Sequence, residues 1–165
     1  MNYRIFVLIV AVVLTACGGS SDGESINSES VAGPFPAYSA DQIQFLKDNA
    51  AREAVTVAAS GLQYEEMIAA DGLMPTSESM VTLDYVGTKI DGTEFDSSYS
   101  RGTPASFTLS GTIPGFAEGI QLMNVGSTYR FVVPSDLAYG EAGAGTFISP
   151  GDALIFVVEL LEINS

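Results

Sequence analysis

No histidine and no tryptophan occur in this chain of 165 residues, cysteine occurs once, and lysine and arginine together number six. Each scarcity removes a class of chemistry. Without histidine there is no Ser-His-Asp triad and no imidazole-ligated metal centre. The single cysteine, Cys17, leaves no intrachain disulfide to form. Six basic residues against twenty acidic ones set the net charge at −14, which repels phosphate backbones and excludes nucleic acid as a natural partner. The same balance offers anionic lipid no polybasic patch. The apolar run Ile5 to Ala16 is about a dozen residues, short of the ~20 that a mature membrane-spanning helix needs.

What is present at the N-terminus reads as an address. Met1-Asn2-Tyr3-Arg4 is a short, weakly positive lead into that apolar run, as in a secretory signal. Leu14-Thr15-Ala16-Cys17 then resembles the bacterial lipobox, which makes residues 1–16 a lipoprotein signal peptide and Cys17 the lipidated mature terminus. Gly18 stands where enterobacterial lipoproteins retained in the inner membrane carry Asp, so the expected location is the bacterial cell envelope, lipid-anchored to the outer membrane and facing the periplasm. Cleavage removes Arg4 and no acidic residue, taking the net charge to about −15. Residues 17–37 form a tether, Gly/Ser-rich at first and Pro-containing later, with an r.m.s. span on the order of 25 Å if flexible.

Residues 38–76 read as a helix followed by leading strands. Ser39 is an N-cap with Gln42 three residues on, a capping-box spacing, and Tyr38 with Ile43 suits a hydrophobic staple. Ile43, Leu46 and Ala50 supply an apolar stripe to about Arg52, for packing on the domain or for pairing with another chain. Thr56-Val57 and Leu62 to Met67 look extended. In residues 77–165, Val81, Leu83 and Tyr85 alternate with polar residues, and Asp91-Gly92 marks a tight turn returning through Asp96. Thr128 to Val133 is a further strand, stopped by Pro134. Ala153 to Ile163, apolar on both faces, reads as a central strand. One clear helix interrupts them, opened by Pro114 with Phe116, Ile120 and Met123 on one side. The fold class is α+β, a twisted antiparallel sheet around one short helix, with an N-terminal helix and a tether.

Read residue by residue, large aromatics such as Tyr85, Phe107 and Phe156 on strands are ordinarily core, and Asp96 is ordinarily a turn or cap residue. The order YVGTKIDGTEFDSSYSRG, TIPGFAEGIQLM, SDLAYGEAGAG, LIFVVELLEI alters that weighting. These segments, in this register over Val81 to Asn164, resemble the FKBP-type peptidyl-prolyl isomerases. Ser60-Gly61-Leu62-Gln63-Tyr64 and the helix before it resemble the exported bacterial members related to the macrophage infectivity potentiator. The resemblance implies a pocket between helix and sheet, with Tyr85, Phe95, Asp96, Phe116, Tyr139 and Phe156 as catalytic residues. Phe107, Thr112 and Ile113 would bind substrate, and Arg101, Phe147 and Ile148 would sit at the rim or support it. It also implies that Asp96 pairs with Tyr85 and Arg101, and that the Tyr139 hydroxyl and Ile113 N–H donate to substrate carbonyls. Phe116 stands where the family commonly has Trp, implying a smaller floor without an indole N–H. Ala105, Thr112, Phe147 and Ser149 also depart from the pattern.

The implied activity is acceleration of Xaa-Pro isomerisation in exported proteins, without cofactor or metal. Implied partners are proline-containing segments, the membrane through lipid, and macrolide inhibitors such as rapamycin. The helix from Ser39 to Arg52 is short beside the dimerisation helices of related exported members, which points to a monomer. Two other readings stay open here: a chaperone module that binds proline segments with weak or no turnover, and a structural lipoprotein retaining only the fold.

Overall fold

A computed structural model of the chain describes residues 38–164, which lie in one compact unit. The signal, lipobox and tether fall outside the described residues. The element order is α1 (Ala40–Ala50), β1 (Thr56–Val57), β2 (Gln63–Ile68), β3 (Met80–Lys89), β4 (Glu94–Ser97), α2 (Ser98–Arg101), β5 (Ala105–Thr108), α3 (Pro114–Ile120), β6 (Thr128–Val133) and β7 (Leu154–Asn164). All pairings are antiparallel, in the order β1-β2-β6-β7-β3-β4, with β5 also on β3. This is the α+β architecture expected, and β7 is central between β6 and β3 as its two apolar faces predict.

The period-two pattern chooses the inner face. Val81, Leu83 and Tyr85 of β3 and Leu154, Phe156, Val158 and Leu160 of β7 are buried and join Leu62, Ile120, Met123 and Phe131 in one core. Helix α3 crosses that concave face at close range because it presents glycine to the sheet. A Cβ on Gly119 would lie 2.8 Å from the Phe131 ring, and one on Gly115 2.4 Å from Val133 Cγ1.

The chain opposite β3 is interrupted. β5 pairs with Met80–Leu83 and β4 with Val86–Thr88, while the single turn α2 occupies the gap. Periodicity gives no sign of α2, since four residues are too few to show a helical stripe. It is held by its ends: Ser97 Oγ accepts from Ser100 N at 3.2 Å, and Gly102 closes it in the left-handed region at φ 71°.

Helix α1 starts where expected, with Ser39 Oγ accepting from Gln42 N at 3.4 Å, but its docking face differs from the apolar stripe. Ile43 is 42 % exposed, and the buried residues are Gln42 and Asn49. Asn49 Nδ2 donates to Gln63 Oε1 (2.7 Å), Gln63 Nε2 donates to Leu46 O (3.0 Å), and Arg130 Nη1 donates to Asn49 Oδ1 (2.8 Å). Only the Ser39 half of the capping box closes locally. The Gln42 side chain is engaged at Asp152 and Ala153, and the Tyr38 hydroxyl at Asp136. A buried polar group must be hydrogen-bonded wherever partners lie, so tertiary geometry outranks local capping here.

Candidate functional site

Between α3 and the sheet lies a cavity of about 510 Å³, lined by Tyr85, Phe95, Asp96, Phe107, Gly111, Thr112, Ile113, Pro114, Phe116, Tyr139 and Phe156. Nine of the residues singled out from sequence are thus brought together. Gly111 and Pro114 were not anticipated. They flank Thr112-Ile113 in the approach to α3 and contribute largely backbone and ring surface, for which side-chain chemistry carries no signal.

Phe116 sits at the centre of the aromatic lining. Its ring lies 5.1 Å from Phe156, 6.1 Å from Tyr85 and 6.1 Å from Phe107, each edge to face, and only 4 % of the residue is exposed. Phe95 meets Phe156 edge-on at 5.6 Å and 89°. Such edge-to-face pairs add stabilisation of about 0.5–1.5 kcal/mol each beyond their area burial and make the walls stiff. Stiff apolar walls are what a site needs if it is to exclude water on closing around a ligand.

Phe95 and Asp96 are adjacent on β4, yet both line the cavity. A regular strand would send them to opposite faces. The register shifts at this point: Gly87 opposes Asp96 and Thr88 opposes Glu94, leaving Phe95 unpaired as a bulge. The Phe95 ring then lies over Gly87, where a Cβ would approach Phe95 Cζ to 2.7 Å and Phe156 Cε1 to 3.1 Å. Gly87 is therefore part of the pocket's shape, though nothing in its sequence context marks it.

One polar cluster interrupts the apolar lining. The Tyr85 hydroxyl donates to Asp96 Oδ2, Arg101 Nη1 donates to and pairs with Asp96 Oδ1, and Arg101 Nη2 donates to the Tyr85 oxygen at 3.1 Å. The guanidinium also stands 5.4 Å from the Tyr85 ring centroid. Burial pushes the Tyr85 hydroxyl up to about 12, and the bond it gives Asp96 adds to that shift against the opposing Arg101 charge. Arg101 is itself raised, chiefly by its bond to Tyr85. Tyr85 hence stays a protonated donor at any physiological pH. Ser98 keeps α2, and so Arg101, in place: its buried Oγ accepts from Tyr85 N (2.9 Å) and donates to Asp84 Oδ1 (2.7 Å) across the gap between β4 and β5.

Two donors remain open at the rim. Ile113 N–H has no hydrogen-bond partner among the described residues, and Tyr139, 40 % exposed, likewise shows none for its hydroxyl. Thr112 lines the cavity, but its hydroxyl is committed to Leu109 O at 2.8 Å. Arg101, Phe147 and Ile148 lie outside the lining. Arg101 reaches the site through Asp96. Ile148 is 7 % exposed and belongs to the core beneath, whereas Phe147 is 64 % exposed on the loop after Tyr139. Among the described residues no group of three or more Asp, Glu, Cys or His side chains is arranged to hold a metal.

Comparison with known proteins identifies the family of the fold that carries this cavity. The sequence model of the FKBP-type peptidyl-prolyl cis-trans isomerase domain matches residues 72–161. The chain is 46 % identical over 129 residues to the FKBP-type 22 kDa peptidyl-prolyl cis-trans isomerase of Escherichia coli, covering 78 % of this chain and 63 % of that one. It is 44 % identical over 120 residues to a Legionella longbeachae protein named outer membrane protein MIP, covering 73 % and 52 % of the two. Among solved structures, FkpA from Escherichia coli superposes with a TM-score of 0.73 at 40 % identity, over 76 % of this chain and 58 % of that one. A Pseudomonas syringae peptidyl-prolyl isomerase superposes with a TM-score of 0.71 at 34 % identity, over 76 % and 92 %. The chain spans 44 % to 63 % of the length of the first curated relatives it matches. With the family domain matched over more than half its length, the chain belongs to the FKBP-type peptidyl-prolyl cis-trans isomerases.

Proposed function

We propose that this chain accelerates cis-trans isomerisation of Xaa-Pro bonds, with the prolyl ring seated on Phe116. The observation that carries the reading is the cavity itself: five aromatic rings (Tyr85, Phe95, Phe107, Phe116, Phe156), one clamped carboxylate and two open donors. Rotation about the prolyl amide must overcome its partial double-bond character, a barrier of ~18–20 kcal/mol. No bond between heavy atoms is made or broken, so neither nucleophile nor cofactor is required. The planar amide is the charge-separated form and the twisted amide has lost much of that separation. Apolar walls that remove water from the amide therefore raise the planar state relative to the twisted one.

Tyr139 and Ile113 N–H supply the directional part. Donors to the carbonyls on either side of the proline hold the peptide while the bond between them turns. Asp96, fixed by Tyr85 and Arg101, makes a polar wall that cannot swing into the cavity. Acceleration of a thousandfold asks for about 4 kcal/mol of differential stabilisation. Rigid walls and two placed hydrogen bonds are of that size. Phe107 and Thr112 line the same cavity and would bear on preference for the residue before proline, and Phe147 and Ile148 would act through the loop beyond Tyr139.

The test is exchange spectroscopy on an Xaa-Pro peptide with and without rapamycin. Acceleration that the macrolide abolishes is expected. An inactive chain that still suppresses aggregation after Phe95→Ala and Asp96→Ala would refute the isomerase reading in favour of a proline-binding chaperone. We infer further that the substrates are exported proteins, met in the bacterial envelope by a monomer anchored through lipid on Cys17. One relative carries outer membrane protein in its name. A Cys17→Ser chain is expected to leave the membrane fraction, and unchanged fractionation would refute the anchor.

A further inference from the structure

Tyr38, just before α1, and Gln42 in its first turn reach the two stems of the segment that joins β6 to β7. That segment, residues 134–153, carries Tyr139 and borders one side of the cavity. At the first stem the Tyr38 hydroxyl accepts from Asp136 N at 3.2 Å. At the second, Gln42 Nε2 donates to Asp152 Oδ1 at 3.1 Å while Gln42 Oε1 accepts from Ala153 N at 3.0 Å. The other oxygen of Asp152 accepts from Ser149 N at 2.8 Å. Between the stems, Gly151 N donates to Gly140 O at 3.0 Å, one residue beyond Tyr139.

This arrangement has no need to exist for the helix alone. Gln42 is positioned to cap α1 locally, yet the residue is 7 % exposed and both ends of its amide are engaged 110 and 111 residues away. The segment it grips is difficult to order by itself. Residues 140–151 include four glycines, which lose the most conformational freedom on folding. Ile148 anchors the middle of it in the core, and Tyr139 itself has no bond to hold its ring. An internal bridge between Ala144 and Ile148 ties the tip of the segment, and fixation at the stems adds the hold that the part bearing Tyr139 lacks.

We propose that Tyr38 and Gln42 form a clasp that holds the β6–β7 segment and thereby sets Tyr139 at the pocket rim. Gln42 is then a positioning residue for substrate binding, on an element that precedes the matched domain at residue 72. The catalytic consequence rests on the isomerase reading above; the clasp itself does not.

The experiment uses the full chain carrying Gln42→Leu, which keeps the size and removes donor and acceptor. Amide exchange at Ile148, Gly151 and Ala153 is expected to quicken by roughly ten- to a hundredfold, the factor for the two hydrogen bonds Gln42 makes, with β3 amides unmoved. KM for an Xaa-Pro peptide is expected to rise by roughly three- to tenfold, with kcat changed less. Gln42→Glu alone sets two carboxylates face to face and reproduces the defect. Adding Asp152→Asn restores each bond with one polarity reversed, and exchange and KM return to those of the parent. Tyr38→Phe gives a smaller effect of the same kind and serves if Gln42→Leu does not fold. Unchanged loop exchange, quickening spread evenly over the sheet, a loosened loop with unaltered KM, or failure of the double variant to recover each overturns the clasp. A parent chain without activity refutes the isomerase reading instead, and loop exchange with its recovery then decides the clasp by itself.

Discussion

Gly87→Ala offers the sharpest test of how the pocket is built. The added Cβ would stand 2.7 Å from Phe95 Cζ, 2.9 Å from Phe95 Cε2 and 3.1 Å from Phe156 Cε1. Carbon contacts settle near 3.5–4.0 Å, so the Phe95 ring must withdraw by about 1 Å. Its easiest exit is into the cavity, since β3 lies behind it and Phe156 meets its edge. Overpacking of this kind costs about 1–3 kcal/mol. Replacing glycine within a strand returns about 0.5–1 kcal/mol through backbone entropy. The net expectation is a loss of roughly 0.5–2 kcal/mol in urea unfolding at unchanged m-value. Catalysis should suffer more than stability. A wall displaced by about 1 Å in a site that works by fit can cost up to about a hundredfold in kcat/KM. Denaturation and exchange spectroscopy on the same preparation read both quantities. Wild-type kcat/KM together with wild-type stability would refute the account of Gly87 and of the bulge beneath Phe95.

Other expectations follow from the same contacts. Gly119→Ala should destabilise by about 0.5–2 kcal/mol, because its Cβ meets the fully buried Phe131 ring at 2.8 Å at a cost only partly offset by the entropy gained in replacing a helix glycine, and thermal unfolding reads it. Asn49→Ala removes the acceptor of Arg130 and the donor to Gln63, and a loss of about 1–3 kcal/mol is expected, with the amides of β3 keeping their protection relative to those of α1. The Tyr85 hydroxyl, raised by burial to about 12 from its ordinary 10, stabilises the fold in its protonated form. That contribution is complete below pH 10 and is lost as pH rises through 12, so the melting temperature should fall across that window and Tyr85→Phe should flatten the fall. Activity should show no inflection from this group between pH 6 and 9.

Much of the fold was legible because burial imposes a period. The alternation in Val81–Tyr85 and the doubly apolar Leu154–Leu160 announce a half-buried and a central strand, and both occur as such. Pro114 before Phe116 and Ile120 announces α3 for the same reason. The aromatic residues of the site were legible only through their register with a family, since on composition alone they are core. The face on which α1 docks was not legible: Ile43, Leu46 and Ala50 have the right spacing, whereas Gln42 and Asn49 are buried. Hydrogen-bond partners from 14 to 111 residues distant decide that face, and no window of sequence contains them.

Sequence alone therefore determined the chemistry available to this protein. With no histidine and one cysteine, imidazole-based triads, imidazole-ligated metals and intrachain disulfides were excluded from the start. It determined the strands and the principal helix as well, because hydrophobic period is a local property. Tertiary structure decided what those elements do together. The shift at Gly87 and Thr88 turns both Phe95 and Asp96 inward, the gap between β4 and β5 admits α2 with Arg101, and Tyr38 with Gln42 grips the segment bearing Tyr139. Each depends on which backbone groups remain unpaired after the sheet has formed, a quantity that exists only once distant strands have met.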